Sequence, residues 1–266
     1  MANLTHFRSL LKPQWRPFAH QMFDQLPRLV ENPHPQVVNY ALNWIRKGNS
    51  SSFDVEWHQA ATNPHPQMVD CILKTSSLDE RSPLFFSALG INPHPRAVEV
   101  YWSWARKHPN DIFWNEVAAN PNTQSLLLCV AHAQGKVSSG LWANPNLLAL
   151  QYTWFSRTPI DWVHLATNPN PAATDFYLVS NAHHMRADHY LGLAQNRNPK
   201  AVRFYLKWAH TVSIDQVDFL GLCKNRHPDA LEFVWKHMHV YPLMKLPEYM
   251  AWGQLATNPS VFLPRV

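Results

Sequence analysis

The sequence predicts an all-α fold, a right-handed α-solenoid of about nine two-helix repeats, and three observations carry that expectation. An asparagine corner recurs at Asn32, Asn63, Asn92, Asn120, Asn144, Asn168, Asn196, Asn225 and Asn258. The step between corners runs from 24 residues (Asn120 to Asn144) to 33 (Asn225 to Asn258), which is the spacing of a helical array. Apolar residues on both sides of each corner recur every three or four positions, a helical period rather than strand alternation.

The corner has a physical logic. Asparagine is a strong N-cap, because its side-chain oxygen accepts a backbone N–H of the first helical turn. Proline fits the first helical position, where that N–H has no intrahelical partner. Asn-Pro is therefore expected to stop one helix and start the next, with asparagine as the N-cap. A second proline, at Pro35, Pro66, Pro95, Pro171, Pro199 and Pro228, is expected inside the first turn. It keeps the register where Arg197 and Arg226 replace the first proline.

The helix before each corner should be short and buried along one face. Six residues before the asparagine stand Trp57, Phe86, Trp114, Trp162, Tyr190, Phe219 and Trp252, with Leu26 and Ser138 as exceptions. Three before it stand Leu29, Ala60, Leu89, Val117, Leu141, Leu165, Leu193, Leu222 and Leu255. Two before it are mostly small residues, among them Ala61, Gly90, Ala118, Ala166, Ala194 and Ala256, which let neighbouring helices approach closely. The three positions share one helical face. On this reading Trp162 is core, and its replacement by Ala costs ~3–5 kcal/mol.

Taken in order, residues 1–17 read as a polar, proline-interrupted N-terminal arm. Residues 18–266 read as a single helical-repeat domain, since no linker or composition shift divides them. Phe18, Met22, Phe23, Leu26, Leu29 and Val30 form the expected first short helix. The longer helix after each corner carries its own stripe, such as Val98, Tyr101, Trp102 and Ala105, or Val202, Tyr205, Leu206 and Ala209. Gly48 to Ser52 and Thr75 to Ser77 read as loops between units. The fifth copy departs most, with Trp142 moved to two residues before Asn144. The last corner leads only into Val261 to Val266, so the array is expected to end mid-unit or to be truncated.

Composition excludes little. Lys and Arg number 23 against 18 Asp and Glu, a formal charge of +5, which permits a polyanionic partner without requiring one. Basic pairs such as Arg46-Lys47 and Arg106-Lys107 sit where they complement helix C-termini. Cys71, Cys129 and Cys223 are scattered at apolar helical positions and are expected to be buried thiols in a reducing compartment. No apolar run reaches the ~18 residues of a membrane span. The start lacks a secretory h-region.

Trp162-x-x-Leu165-Ala166-x-Asn168-Pro169-x-Pro171 resembles the Asn-Pro helical repeats of uncharacterised proteins of large DNA viruses. Asn115 to Thr123 is similar to the corner of bacterial leucine-rich repeat variants, which are helical solenoids. The resemblance covers most of the chain and implies a scaffold with a cytoplasmic or virion role. The bacterial type can carry an iron–sulfur cluster in a separate cysteine-rich segment; this chain has no such segment, and no cofactor is expected.

The corner asparagines are read as caps, bonded to one another's backbones in a ladder along the stack. Two residues after them lies a row of His34, His65, His94 and His227, with Asn122, Asn146, Asn170 and Asn198 in the other copies. With Arg96, Arg197, Lys200 and Arg226 these histidines could line an anion-binding edge of helix N-termini. His183, His184 and His189, and His237 with His239, cluster without zinc-finger spacing, so no metal site is assigned. There is no phosphate-cradling glycine loop, nucleophile elbow or recurring carboxylate pair, and no catalytic residue is assigned. The expected function is a non-enzymatic scaffold for a protein partner, and the alternative is a nucleic-acid-binding solenoid using the basic edge.

Overall fold

The computed structural model describes residues 4–23, 25–46, 57–74, 82–133, 139–181, 187–237 and 248–262. The expected loops at Gly48 to Ser52 and Thr75 to Ser77, and His183, His184 and His239, lie outside them. The described residues are all-α, with helices packed on their neighbours and no strand; Leu11 and Phe262 form one isolated bridge. In chain order the helices are α1 (Leu4–Leu10), α2 (Ala19–Phe23), α3 (Pro35–Arg46), α4 (Trp57–Ala61), α5 (Pro66–Lys74), α6 (Pro83–Ile91) and α7 (Pro95–Lys107). There follow α8 (Trp114–Ala118), α9 (Thr123–His132), α10 (Ser139–Ala143), α11 (Leu147–Phe155), α12 (Trp162–Thr167) and α13 (Pro171–Asn181). The chain continues with α14 (Ala187–Gln195), α15 (Pro199–Ala209), α16 (Phe219–Lys224), α17 (Pro228–His237) and α18 (Glu248–Thr257). Where one continuous domain was expected, the chain divides into two compact units, Met1–Ile112 with Glu248–Val266, and Phe113–Pro247.

The corner differs from the expected cap in an instructive way. For the longer helices the N-cap is not the corner asparagine but the residue two further on: His94 for α7, Asn122 for α9, Asn146 for α11 and Asn198 for α15; at the last corner Asn258 is itself the N-cap, of the 3-10 segment Pro259–Val261, as expected. The second proline, not the first, opens the helix, as at Pro35, Pro66, Pro95, Pro171, Pro199 and Pro228. The reason is steric. Proline forces the residue before it out of the α region. Prolines at both following odd positions favour extended backbone at the asparagine and the next-but-one residue, as at Asn92 (φ −73°, ψ 120°) and His94 (φ −67°, ψ 129°); Asn122, Asn146 and Asn225 take the same conformation before Thr123, Leu147 and Arg226, so the side-chain hydrogen bonds of the corner hold it there too.

Freed from capping, the corner asparagine holds the stack together. All nine are buried. Each Oδ1 accepts the backbone N–H two residues on, at 2.9 Å from Asn170 to Asn168 and from His65 to Asn63. Within each compact unit the Nδ2 reaches back to the preceding corner. In the first unit Asn63 donates to the carbonyls of Val30 (2.6 Å) and Asn32 (3.0 Å), and Asn92 to those of Ala61 (2.7 Å) and Asn63 (3.0 Å). In the second unit Asn144 donates to Ala118 and Asn120, Asn168 to Trp142 and Asn144, Asn196 to Ala166 and Asn168, and Asn225 to Ala194 and Asn196. The backbone carbonyls left over at each helix end are thereby satisfied by the next unit. The expected ladder is present.

The short helices carry the seam. Every residue three before a corner is buried, from Leu29 to Leu255, and so is every residue two before it, from Val30 to Ala256. Glycines set the closest approaches. A Cβ at Gly140 would lie inside contact distance of the Asn115 carbonyl oxygen and 2.9 Å from Ala118 Cβ, between α10 and α8. One at Gly192 would lie 2.7 Å from Ala166 Cβ, between α14 and α12. Gly140→Ala is therefore expected to lower stability by about 1–3 kcal/mol through overpacking, although alanine is the better helix former. A urea midpoint at or above wild type would mean that α8 and α10 separate freely.

The aromatic row does not behave uniformly. Phe86, Phe219 and Trp252 are buried, but Trp57, Trp114, Trp162 and Tyr190 are only half-buried. Trp57, Trp114 and Trp162 are each the first residue of a helix of five or six residues. Their rings lie at the end of the seam, against the longer helix, as Trp162 stacks on Phe176 at 6.0 Å. Trp142, the displaced copy, is fully buried and its Nε1 donates to the Pro159 carbonyl at 2.8 Å.

Residues 4–17, the described part of the expected arm 1–17, are built into the first unit. Phe7, Leu10, Leu11 and Trp15 are buried. Phe7 meets Tyr40 of α3 and Phe262 at ring separations of 6.0 Å, and Lys12 N–H donates to the Val261 carbonyl at 3.0 Å. The helix expected over residues 18–30 is broken into α2 and a 3-10 segment at Leu26–Glu31, because Pro27 interrupts it. Helix α18 packs on α2 and on that segment, and Phe18 stacks on Trp252 at 5.1 Å. Asn32 donates to the Ala256 carbonyl at 2.7 Å, so within this unit the last corner precedes the first in the ladder.

Candidate interaction site

The row two residues after the corner is a capping row before it is anything else. Asn122 Oδ1 accepts from Gln124 N–H (3.0 Å) and Ser125 N–H (3.2 Å), Asn146 from Leu148 (3.0 Å), Asn170 from Ala172 (3.0 Å) and Asn198 from Lys200 (2.9 Å). Three of them also donate toward the proline of the preceding corner: Asn170 to Pro145 at 2.9 Å, Asn198 to Pro169 at 3.3 Å and Asn146 to Pro121 at 3.5 Å. His227 caps in the same manner, its Nδ1 accepting Asp229 N–H at 3.2 Å. His94 makes no side-chain cap bond. His34, His65, His94 and His227 are all half-buried, which leaves little of each ring to a ligand.

The cations named with them separate into two kinds. Arg96 is paired with Asp70 of α5, and Lys200 with Asp175 of α13 at 2.7 Å. Each pairs successive longer helices within one compact unit, and is exposed and worth ~0–1 kcal/mol. Their charge is already balanced. Arg197 and Arg226 follow the stacked corners Asn196 and Asn225, and burial lowers the pKa of both guanidiniums. Arg226 falls to about 10, with repulsion from Arg197 adding to desolvation. Arg197 is exposed, so its desolvation is partial. His34, His65, His94 and Arg96 belong to the first unit, and Arg197, Lys200, Arg226 and His227 to the second.

A different surface went unnoticed in the sequence. On the solvent face of the second unit, large apolar side chains stand exposed on α9, α11 and α13. Phe155 is 87% exposed and Val179 81%, and Leu127, Leu148, Tyr152 and Trp154 are exposed with them. Leu148, Tyr152 and Phe155 lie four and three apart, one stripe along α11. Phe155 and Val179 occupy the same place relative to their corners Asn144 and Asn168, which the ladder stacks. Trp154 meets Phe176 of α13 edge-on at 5.7 Å, joining the two helices beneath the stripe. Period could not find this face, because both faces of α11 are apolar: Ala149, Leu150 and Thr153 occupy the buried one.

Among the described residues no group of three His, Cys, Asp or Glu side chains could hold a metal ion; His189, from the histidine cluster, is buried against Tyr177. Cys129 and Cys223 are buried, and burial pushes both thiols up to about 12, far from the reactive thiolate range. Cys71 is only half-buried, because its position on α5 faces the edge of the seam rather than its centre. No helix among the described residues is long and apolar enough to cross a membrane. The fold and its surfaces define an all-α protein of asparagine-laddered corners. Comparison with protein-family models, curated proteins and solved structures found no match.

Proposed function

We propose that the chain is a non-enzymatic scaffold that holds a protein partner on the apolar solvent face of α9, α11 and α13. The observation that carries the reading is the stripe of Leu148, Tyr152 and Phe155 with Val179 beside it. Exposed apolar side chains scattered singly are normal, but a contiguous patch with aromatic members is the mark of an interaction site. Aromatic anchors of this kind supply most of the affinity at protein interfaces. The finer architecture we propose is a right-handed solenoid of about nine repeats, akin to the Asn-Pro repeats of large DNA viruses. A cytoplasmic or virion setting follows from that kinship. The nucleic-acid reading is weaker, because Arg96 and Lys200 are already paired with carboxylates.

The test is a paired capture experiment from the native source with wild type and Phe155→Asp/Val179→Asp. Surface changes of this kind alter stability by under about 0.5 kcal/mol. The variant is therefore expected to melt like wild type and to lose the partner. Recovery of the same partner by both proteins would remove this face from the interface. Nucleic-acid binding with a steep fall in affinity against salt would favour the alternative.

A further inference from the structure

Helices α9, α11 and α13 are tied to one another by side chains. Asn146, the N-cap of α11, donates from Nδ2 to Thr123 Oγ1 of α9 at 3.0 Å, and Trp154 of α11 meets the Phe176 ring of α13 at 5.7 Å. The register of the repeat then fixes which exposed positions face each other across successive longer helices. The residue seven after one corner meets the residue four after the next: Asp70 pairs with Arg96, and Asp175 with Lys200. Between α9 and α11 the same two positions hold Leu127 and Leu148, both exposed. An apolar pair stands where the ion pair would. Neither α9 nor α11 contains Asp, Glu, Lys or Arg, whereas α7 exposes Arg96 and Glu99, and α15 exposes Lys200, Arg203 and Lys207.

We propose that this uncharged face is where a second copy of the chain docks, so that the protein is a dimer through α9 and α11. The inference rests on the scaffold reading and names the partner held on that face. A two-fold contact lays one patch against itself, which sets charges on the patch against their like. Like charges facing each other in an interface are costly, so a patch without them meets the condition for self-pairing. Area agrees. Leu127, Leu148, Tyr152, Trp154, Phe155 and Val179 together expose on the order of 600 Å², the upper end for the largest patch of an ordinary monomer. A standard interface takes roughly 800 Å² from each partner, and Gln124, Gln151 and Ala172 supply an uncharged exposed rim. Leu148 and Phe155 flank Tyr152, four residues before it and three after. Antiparallel packing of α11 on its copy, about a two-fold near Tyr152, therefore sets Leu148 of one protomer against Phe155 of the other. Arg157, just past the end of α11, then meets the opposite end of the copy's helix rather than its own equivalent, and Asp175 at the margin is neutralised by Lys200. A lipid surface suits this face less well, because helices that lie in a membrane interface carry Lys and Arg beside the apolar stripe.

The full-length protein is followed by sedimentation equilibrium over a concentration series. Wild type is expected to pass from monomer to dimer at or below ~10 μM. Leu127→Asp/Leu148→Arg installs the ion pair that other repeats carry at these positions. It should weaken the dimer at least ~30-fold, while dilute samples melt like wild type. Phe155→Asp/Val179→Asp should do the same, and Leu84→Asp, at an exposed position of α6 in the other compact unit, should leave the dimer intact. Wild type that stays monomeric up to ~100 μM overturns the dimer. Loss of a captured partner from Phe155→Asp/Val179→Asp would in that case still support the scaffold reading. A dimer that survives both paired variants, or one lost equally in Leu84→Asp, overturns this face as the contact; capture unchanged by Phe155→Asp/Val179→Asp removes the scaffold reading as well. Wild type that sediments as a monomer but floats with phosphatidylcholine vesicles assigns the face to lipid and overturns both.

Discussion

Replacing Asn168 by alanine is expected to lower stability by about 3 kcal/mol or more, an effect large enough to read directly from urea unfolding. The side chain is fully buried and makes three hydrogen bonds: Nδ2 to the carbonyls of Trp142 (2.7 Å) and Asn144 (2.8 Å), and Oδ1 from Asn170 N–H (2.9 Å). Each bond contributes ~1 kcal/mol net, and each buried partner left unsatisfied costs ~1–3 kcal/mol more. Asn168→Asp should be worse at neutral pH. It keeps the shape and the Oδ1 acceptor but turns a carboxylate toward two carbonyl oxygens in a dry site. Its folded-state pKa must then rise above the ~3.9 of the unfolded chain. Between those two values the folded state binds more protons than the unfolded one, so stability increases as pH falls through the folded pKa and is lost as pH rises. An Asp variant as stable as the Ala variant at neutral pH, or one whose deficit ignores pH, would show that the ladder contributes little.

Trp142→Ala is expected to cost about 3–5 kcal/mol, and Trp162→Ala only about 1–2 kcal/mol. Trp142 is fully buried and anchored by its Nε1 to Pro159, so its removal leaves a cavity that the corners on either side cannot collapse into. Trp162 opens a six-residue helix and keeps one side in water, with Phe176 and Tyr177 as its ring neighbours. The order reverses what position in the repeat implies, since Trp162 is in register with the other aromatics and Trp142 is not. Unfolding midpoints for the two variants settle it: equal losses would mean that the first turn of α12 is as deeply packed as the centre of the seam.

The regularities that repeat were legible. Leu165 and Ala166, three and two before Asn168, read as buried because helical period places them on one face, and they are. The cross-strapping role of the asparagines followed from their recurrence. The capping position did not. A single Asn-Pro argues for an asparagine N-cap, and only the coordinates show both prolines acting at once to extend two alternate residues. The candidate site fared less well. Charge and position picked out Arg96 and Lys200 with Arg197 and Arg226, but Asp70 and Asp175 lie a whole repeat away in sequence and neutralise the first two only through packing. The stripe on α11 escaped because composition cannot say which of two apolar faces turns to water.

What this sequence determined by itself is local and periodic: helices, their corners, and the face each presents to its neighbour. Those follow from proline sterics, asparagine hydrogen bonding and the 3.6-residue turn, all of which act within a few residues. Tertiary structure alone decided which unit meets which. It joined Asn32 to Ala256, placed Phe7 against Phe262, stacked the Asn225 corner on that of Asn196 and left Phe155 and Val179 exposed. Such pairings depend on burying surface between residues far apart along the chain, and no short stretch of sequence encodes the partner it will meet.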